Sequence, residues 1–283
     1  MPTRALGHRR YLSPMPEFVK VVLVTGGSSG LGRAMCARLT AQGHRVYGTG
    51  RAVDDGPGDL GFELLRMDIT DEASVQRGVN EVLRREGRID VVVNNAGLGI
   101  QGPAEDIPTE LAQRLLDTNV LGAHRLCRAV LPEMRARKRG LIINITSVAA
   151  NFGLPYRAFY SASKAALERY GEALAIELKP FGITVVNVQP GEFNTPIAQS
   201  RLKPDSITPD HRPGYEKAMA VLSGSMHYSR DPDELARVVA RIIASPKPKA
   251  GYVVAKGVQR FSIWAKKLLP GRMFQRMVGK HYE

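Results

Sequence analysis

Short apolar runs rich in Val and Ile alternate along the chain with longer segments in which apolar residues recur every three to four positions. The runs fall at 19–25, 45–49, 62–67, 89–94, 141–146, 184–188 and 252–254. The helical segments fall at 31–42, 71–86, 109–137, 156–179 and 231–244. Strand and helix in strict alternation predict βαβ units and a parallel sheet. Runs such as Val91-Val92-Val93 are apolar without interruption, which suits strands covered by helices on both faces. The expected fold class is therefore α/β, a doubly wound parallel sheet in one domain. The helix at 231–244 also carries a start signal: Asp231 as N-cap, Pro232 at the first helical position, and Asp233 and Glu234 in the first turn.

Composition agrees with a packed globular domain. Of 283 residues, 43% are hydrophobic and 24% charged, which excludes disordered, collagen-like and coiled-coil chains. The net charge of +13 raises the question of nucleic acid, but the charge sits at the ends. Residues 1–20 carry four basic side chains against one acidic, and residues 256–283 seven against one, so +4 is left for the 235 residues between. The chain divides into a basic N-terminal extension (1–18), a catalytic domain (19–255) and a basic amphipathic tail (256–283). No nucleic-acid motif accompanies the basic ends, and no nucleic-acid partner is expected. Cys36 and Cys127 are too few for a disulfide framework or a thiolate metal site, and no metal is expected. The first residues are too polar and proline-broken for a signal peptide, and no apolar run reaches the roughly 18 residues of a membrane span. A cytoplasmic location follows as the expectation.

The first run leads straight into Thr25-Gly26-Gly27-Ser28-Ser29-Gly30-Leu31-Gly32, and helical period begins at once. Glycines in such a turn allow backbone to approach a pyrophosphate closely, while the helix N-terminus supplies N–H donors. Strand before and helix after are the context a dinucleotide site of the Rossmann type requires. The next strand ends in Gly50 and Arg51. A carboxylate there would hydrogen-bond the adenosine ribose of NAD, whereas a guanidinium can grip a 2′-phosphate with two parallel donors. NADP(H) is the expected cofactor, with Arg51 the main cation and Arg33 a second.

Tyr160 and Lys164 lie four apart in a helical segment, so both project from one face a turn apart. A neighbouring cation favours the phenolate and so makes a tyrosine useful as an acid or base near neutral pH. The turn T-G-x3-G-x-G, Asp68, Asn94-Asn95-Ala96-Gly97, Asn119 in Asp-Thr-Asn-Val, Ser147, Tyr160-x3-Lys164, and Pro190-Gly191 with Thr195 follow one another in a single order over 19–255. This series resembles the classical short-chain dehydrogenase/reductase family. Within it the chain is similar to the branch of 17β-hydroxysteroid and retinol dehydrogenases and to related bacterial oxidoreductases.

The resemblance implies an NADP(H)-dependent oxidoreductase interconverting a ketone or aldehyde and an alcohol. It implies Tyr160 as general acid or base and Ser147 as the donor that stabilises the carbonyl oxygen. Lys164 would also hold the nicotinamide ribose, and Asn119 would fix a proton-relaying water. The cofactor set it implies is Thr25, Gly26, Ser28, Ser29, Gly30, Leu31, Gly32, Arg51, Asp68, Ile69, Asn95, Ala96, Gly97, Tyr160, Lys164, Pro190, Gly191 and Thr195, with Asn94 supporting backbone beside the adenosine ribose. Homodimers or homotetramers are implied as well. A rival reading keeps the fold as a non-catalytic NADP-binding regulator or sensor, or as a membrane-associated interaction protein.

Residues 197–230 break the alternation, and their position predicts a lid over the site. Ile197, Leu202, Tyr215, Met219, Val221, Leu222 and Met226 give it apolar material, so a hydrophobic substrate of steroid, retinoid or lipid type is expected. In the tail, Phe261, Trp264, Ala265 and Leu268 lie at helical spacing, and Met273, Phe274, Met277 and Val278 repeat the pattern after Pro270-Gly271. Two uses stay open for it: docking on the body or a second subunit, or lying in a membrane interface.

Overall fold

A computed structural model describes residues 18–193, 195, 200–226 and 230–282, without the side chains of Ser225 and Met226. The N-terminal extension through residue 17 and the lid residue Ile197 lie outside the described residues, as does the Met226 side chain.

The alternating pattern folds as expected. β1 (Val21–Val24), β2 (Arg45–Gly50), β4 (Glu63–Arg66), β5 (Val91–Asn94), β6 (Gly140–Ile145), β7 (Ile183–Pro190) and β8 (Gly251–Val254) run parallel in one sheet. β3 (Gly56–Pro57) adds a two-residue antiparallel edge. The order is β3-β4-β2-β1-β5-β6-β7-β8. The chain thus winds outward on one side of β1 and then returns to the other, and the strand order reverses between β1 and β5. Ligands of doubly wound sheets bind beyond the carboxyl ends of the strands at such a reversal.

Alternate strand residues feed two cores. Val22 and Val24 pack with Met35, Cys36 and Leu39 of α1 (Gly30–Ala41) and with Leu235 and Val239 of α7 (Pro232–Ala244). Val21 and Leu23 pack with Val75 and Val79 of α2 (Glu72–Glu86), Leu126 and Val130 of α4 (Gly122–Ala136), and Leu174 and Leu178 of α5 (Ala158–Leu178). The two cysteines are buried, unpaired and one in each core, so they serve as small apolar side chains. The start signal of α7 is used as written: Asp231 accepts from the Asp233 N–H at 2.9 Å. Asp233 then receives Arg38 of α1 through two hydrogen bonds of 2.6 Å, tying α7 to α1.

Two elements depart from the sequence pattern. The single helix expected at 109–137 is α3 (Thr109–Leu116) and α4 joined by a π-helical turn, Asp117–Leu121. Such turns often mark functional positions. Within the supposed lid, residues Arg212–Met226 form α6, whose period is masked because it buries little besides Ala218 and Leu222 and contains Pro213, Gly214 and Gly224. The tail forms α8 (Gly257–Leu268) and α9 (Gly271–Tyr282).

Candidate active site

The turn between β1 and α1 fits a pyrophosphate. Gly26 adopts φ 65°, and a Cβ on Gly32 would lie 2.1 Å from the Gly26 carbonyl oxygen, so neither position accepts a side chain. No side-chain oxygen caps α1 and no acid lies in its first turn, which leaves its N–H groups and positive dipole end facing the turn. Thr25 and Asn95 act beneath it. Thr25 Oγ1 accepts from the N–H groups of Asn95 and Ala96, each at 2.9 Å, and Asn95 Nδ2 donates to the Thr25 carbonyl at 2.8 Å.

A cavity of about 880 Å³ opens on this turn and runs across the ends of the strands. Its wall contains Gly26, Ser28, Ser29, Gly30, Leu31, Arg51, Asp68, Ile69, Asn95, Ala96, Gly97, Ser147, Tyr160, Lys164, Pro190, Gly191 and Thr195. Sequence-predicted residues from seven separate stretches are therefore brought together. Thr25 and Gly32 lie beneath the surface as supports, and so does Asn119. Arg33 is instead paired with Asp59. Asn94 points into the interior, where Asn94 Nδ2 donates to Asn144 Oδ1 at 2.8 Å and Asn144 Nδ2 to Asn187 Oδ1 at 3.0 Å. This amide ladder crosses the centre of the sheet, and Asn95 rather than Asn94 is the residue that touches the glycine turn.

Burial opposes the charge of Asp68, but hydrogen bonds from the Thr70 N–H (2.9 Å) and hydroxyl (2.7 Å), with Arg51 and Arg125 nearby, outweigh it and hold the carboxyl below its usual range. Asp68 is thus an anion beside the cation Arg51.

At the far end stand Ser147, Tyr160 and Lys164. Ser147 Oγ accepts from the Ala149 N–H at 3.1 Å, which leaves its own O–H available as a donor. Lys164 is buried and its Nζ donates to the Ile145 carbonyl at 2.9 Å. Burial lowers its pKa from 10.5 to about 8. Asn119 sits in the π turn, where Oδ1 accepts from the Leu98 N–H at 2.7 Å and Nδ2 donates to the Leu98 carbonyl and to Ser163 Oγ, each at 3.0 Å. Its side chain locks the Gly97–Leu98 loop against α5. Such a set can hold a carbonyl oxygen between two O–H donors over a buried ammonium.

Sequence reasoning did not foresee that the tail completes this cavity. Phe274 of α9 is buried edge-on against Phe152, their centroids 5.2 Å apart, and Arg157 Nη2 donates to the Tyr282 hydroxyl at 2.7 Å. Val258, Gln259, Phe261, Met277, Val278 and Tyr282 all stand in the cavity wall. Docking on the body is therefore one of the tail's uses. Val221 and Leu222 of α6 line the same space, while Leu202 packs in the small core beside it. Among the described residues no cluster of three metal-ligating side chains occurs.

A nucleotide-sized groove ending at a Ser-Tyr-Lys set defines a nicotinamide-dependent oxidoreductase. The comparisons agree: the family profile described as short chain dehydrogenase matches residues 20–206. The chain is 37% identical over 258 residues to a 3-ketodihydrosphingosine reductase of Bacteroides thetaiotaomicron, covering 90% of this chain and 95% of that one. It is 35% identical over 256 residues to human 17-beta-hydroxysteroid dehydrogenase type 1, covering 82% and 76% respectively. The structure superposes on a short-chain dehydrogenase from Streptomyces avermitilis with a TM-score of 0.79 at 30% identity, covering 94% and 97%. The chain belongs to the short-chain dehydrogenase/reductase family.

Lys164 also yields a prediction about stability. Between pH 8 and 10.5 the unfolded chain carries a proton on this lysine that the folded chain has shed. The cost of burying it is therefore full below pH 8 and fades as pH rises to 10.5. Lys164→Met should stabilise the cofactor-free protein at pH 7 by about 1–3 kcal/mol, with the gain shrinking by pH 10.5. Denaturant unfolding at the two pH values measures this; a variant less stable than wild type at pH 7 would show that the lysine is not penalised by burial.

Proposed function

We propose that this chain is an NADP(H)-dependent reductase or dehydrogenase that interconverts a hydrophobic ketone or aldehyde and its alcohol. The observation that carries the reading is the convergence of Ser147, Tyr160 and Lys164 on one cavity with the glycine turn. A nicotinamide cofactor held by the glycine turn and Lys164 would supply or take up the hydride. Tyr160 gives a proton to the carbonyl oxygen in reduction and takes it from the alcohol in oxidation. Ser147, whose lone pair is engaged by the Ala149 N–H, donates its O–H to the same oxygen as charge develops. Lys164 keeps two donors after bonding the Ile145 carbonyl, one for the tyrosine side and one for a ribose hydroxyl. Asn119 holds the loop past which protons are relayed to solvent, and Thr195 with Gly191 orients the carboxamide.

Preference for NADP(H) is supported by Arg51, which lines the groove and makes no ion pair among the described residues. The position an aspartate would need is also crowded: a Cβ on Gly50 would lie 2.8 Å from Ser28 Oγ and 3.0 Å from Val53 Cγ1. Apolar wall residues such as Phe152, Leu154, Val221 and Leu222 support a hydrophobic substrate. The intact Ser-Tyr-Lys set favours an enzyme over a non-catalytic sensor.

A specific feature supports membrane contact as well. No helix among the described residues is long and apolar enough to cross a membrane. Yet Val258, Phe261, Trp264, Leu268 and Met273 stand between 54 and 74% exposed along α8 and the start of α9, flanked by Arg260, Lys267 and Arg272. Val258 and Phe261 stand at the mouth of the cavity, and the apolar stripe runs on from them through Trp264, Leu268 and Met273 between basic edges, as in an interfacial helix. Membership of a family whose members are commonly oligomeric supports assembly into a homodimer or homotetramer.

With a panel of hydrophobic ketones, kcat/KM should be at least about tenfold higher with NADPH than with NADH, and Arg51→Ala should remove most of that margin, since a charge-assisted pair contributes about 1.5–3 kcal/mol. Tyr160→Phe should cut kcat by about a hundredfold or more. Equal use of the two cofactors would sink the NADP assignment, and NADPH consumption unaffected by Tyr160→Phe would sink the mechanism. Co-sedimentation with phosphatidylglycerol vesicles should fall at least severalfold for the triple variant Phe261→Ser, Trp264→Ser, Leu268→Ser; undiminished binding would remove the membrane contact. Light scattering that returns the mass of a single chain would overturn the oligomer.

A further inference from the structure

Two arginines that the mechanism does not use stand in the wall of the catalytic cavity, Arg157 and Arg201. They come from distant parts of the chain. Arg157 precedes α5 by one residue and is 9% exposed. Its guanidinium spends Nη2 on the neutral Tyr282 hydroxyl, and its Nε is buried with no partner among the described residues. Arg201 reaches the cavity because the chain around it pairs with the loop after β5: the Leu202 N–H donates to the Gly99 carbonyl at 2.9 Å and the Gln101 N–H to the Leu202 carbonyl at 3.0 Å. Its Nη1 lies 3.5 Å from Gln101 Oε1, again a neutral group.

Among the described residues neither arginine forms an ion pair with a carboxylate, although Glu192 also lines the cavity. Burial, and secondly the charge of Arg157, hold the pKa of Arg201 below its usual value, with Tyr160, Glu192 and Tyr215 opposing. Two like charges are thus kept together, partly desolvated, in the field of the catalytic tyrosine. An unpaired buried charge is costly, and such sites persist where a ligand supplies the counter-charge.

The backbone before Arg157 is also held against its preference. Tyr156 adopts φ 56°, a left-handed conformation that a non-glycine residue rarely takes and that the surrounding structure must hold in place. Its carbonyl is fixed by the Gly102 N–H at 2.9 Å, and its ring packs edge-on against Tyr215 of α6 at 5.6 Å. The aim of Arg157 is thereby set by the lid helix and the loop that also carries Gln101.

We propose that Arg157 and Arg201 form an anion subsite beside Tyr160, so that the substrate carries a carboxylate or phosphate group on its apolar body. The proposal deepens the reductase reading and rests on it only for the reaction, not for the binding. Guanidinium donors can take two oxygens of either anion in parallel, and the apolar wall from Phe152 and Leu154 accommodates the chain between headgroup and carbonyl.

The test compares reduction of 9-oxodecanoate and its methyl ester by NADPH, and binding of decanoate, decyl phosphate and decanamide to the NADPH-loaded protein by calorimetry. Wild type should prefer the acid over the ester about tenfold or more in kcat/KM, and bind either anion at least tenfold more tightly than the amide. Both preferences should collapse to within about threefold in Arg157→Gln and, independently of any folding defect at that buried site, in Arg201→Gln, with Arg201→Lys retaining part. The tighter of decanoate and decyl phosphate names the anion. An ester used as well as the acid, an amide bound as well as both anions, or preferences that survive both glutamine variants would overturn the proposal. If neither ketone is reduced while the anions bind and are lost in the variants, the subsite stands and the ketone-reductase reading fails.

Discussion

The hydroxyl of Thr25 and the side chain of Asn95 join the turn after β1 to the turn after β5, and most of the site hangs from that junction. The two strands are neighbours in the sheet at the point where its order reverses, so the clamp closes the floor of the crevice that the topology creates. From it the chain passes to Gly97 and Leu98, which Asn119 ties to Ser163 on α5. Ser163 precedes Lys164. The glycine turn and α5 are therefore held in one hydrogen-bonded frame, and the polar groups that make it are almost all buried and paired.

Burial then does two opposite things in the same cavity. At Lys164 it lowers the affinity for a proton, to a pKa of about 8, as is common where a titratable group serves a functional site. At Arg201 burial lowers the pKa without discharging the guanidinium, so positive charge persists in the wall. Stability and function pull apart here, as they do where a strained or charged site is held in place by the surrounding fold. The tail supports the charged wall by placing Tyr282 against Arg157 and Phe274 against Phe152. α8 and α9 thus line the same cavity, while Trp264, Leu268 and Met273 stay exposed.

The parallel sheet and its helices were legible in the sequence because each is written locally, whereas Ser147, Tyr160 and Lys164 were marked out only by the resemblance of the whole motif series. Uninterrupted β-branched runs and a glycine turn between strand and helix are short-range patterns that geometry translates directly. α6 was not legible, since its proline, glycines and small buried stripe erase the period. The π turn that interrupts the 109–137 pattern was hidden for the opposite reason: one extra residue in a helical turn hardly disturbs a hydrophobic period.

What the sequence by itself determined is the class of chemistry and the place of the charge: an oxidoreductase body of nearly neutral balance with basic ends. Tertiary structure decided what the ends and the loops face. Arg157 and Arg201 are 44 positions apart and carry no motif, and a basic residue in a loop looks the same whether water or a substrate lies beyond it. Only the pairing of Leu202 with Gly99, the turn at Tyr156 and the return of α9 over α6 bring the two guanidinium groups and Tyr282 to one wall. Long-range packing sets that convergence, and no local pattern records it.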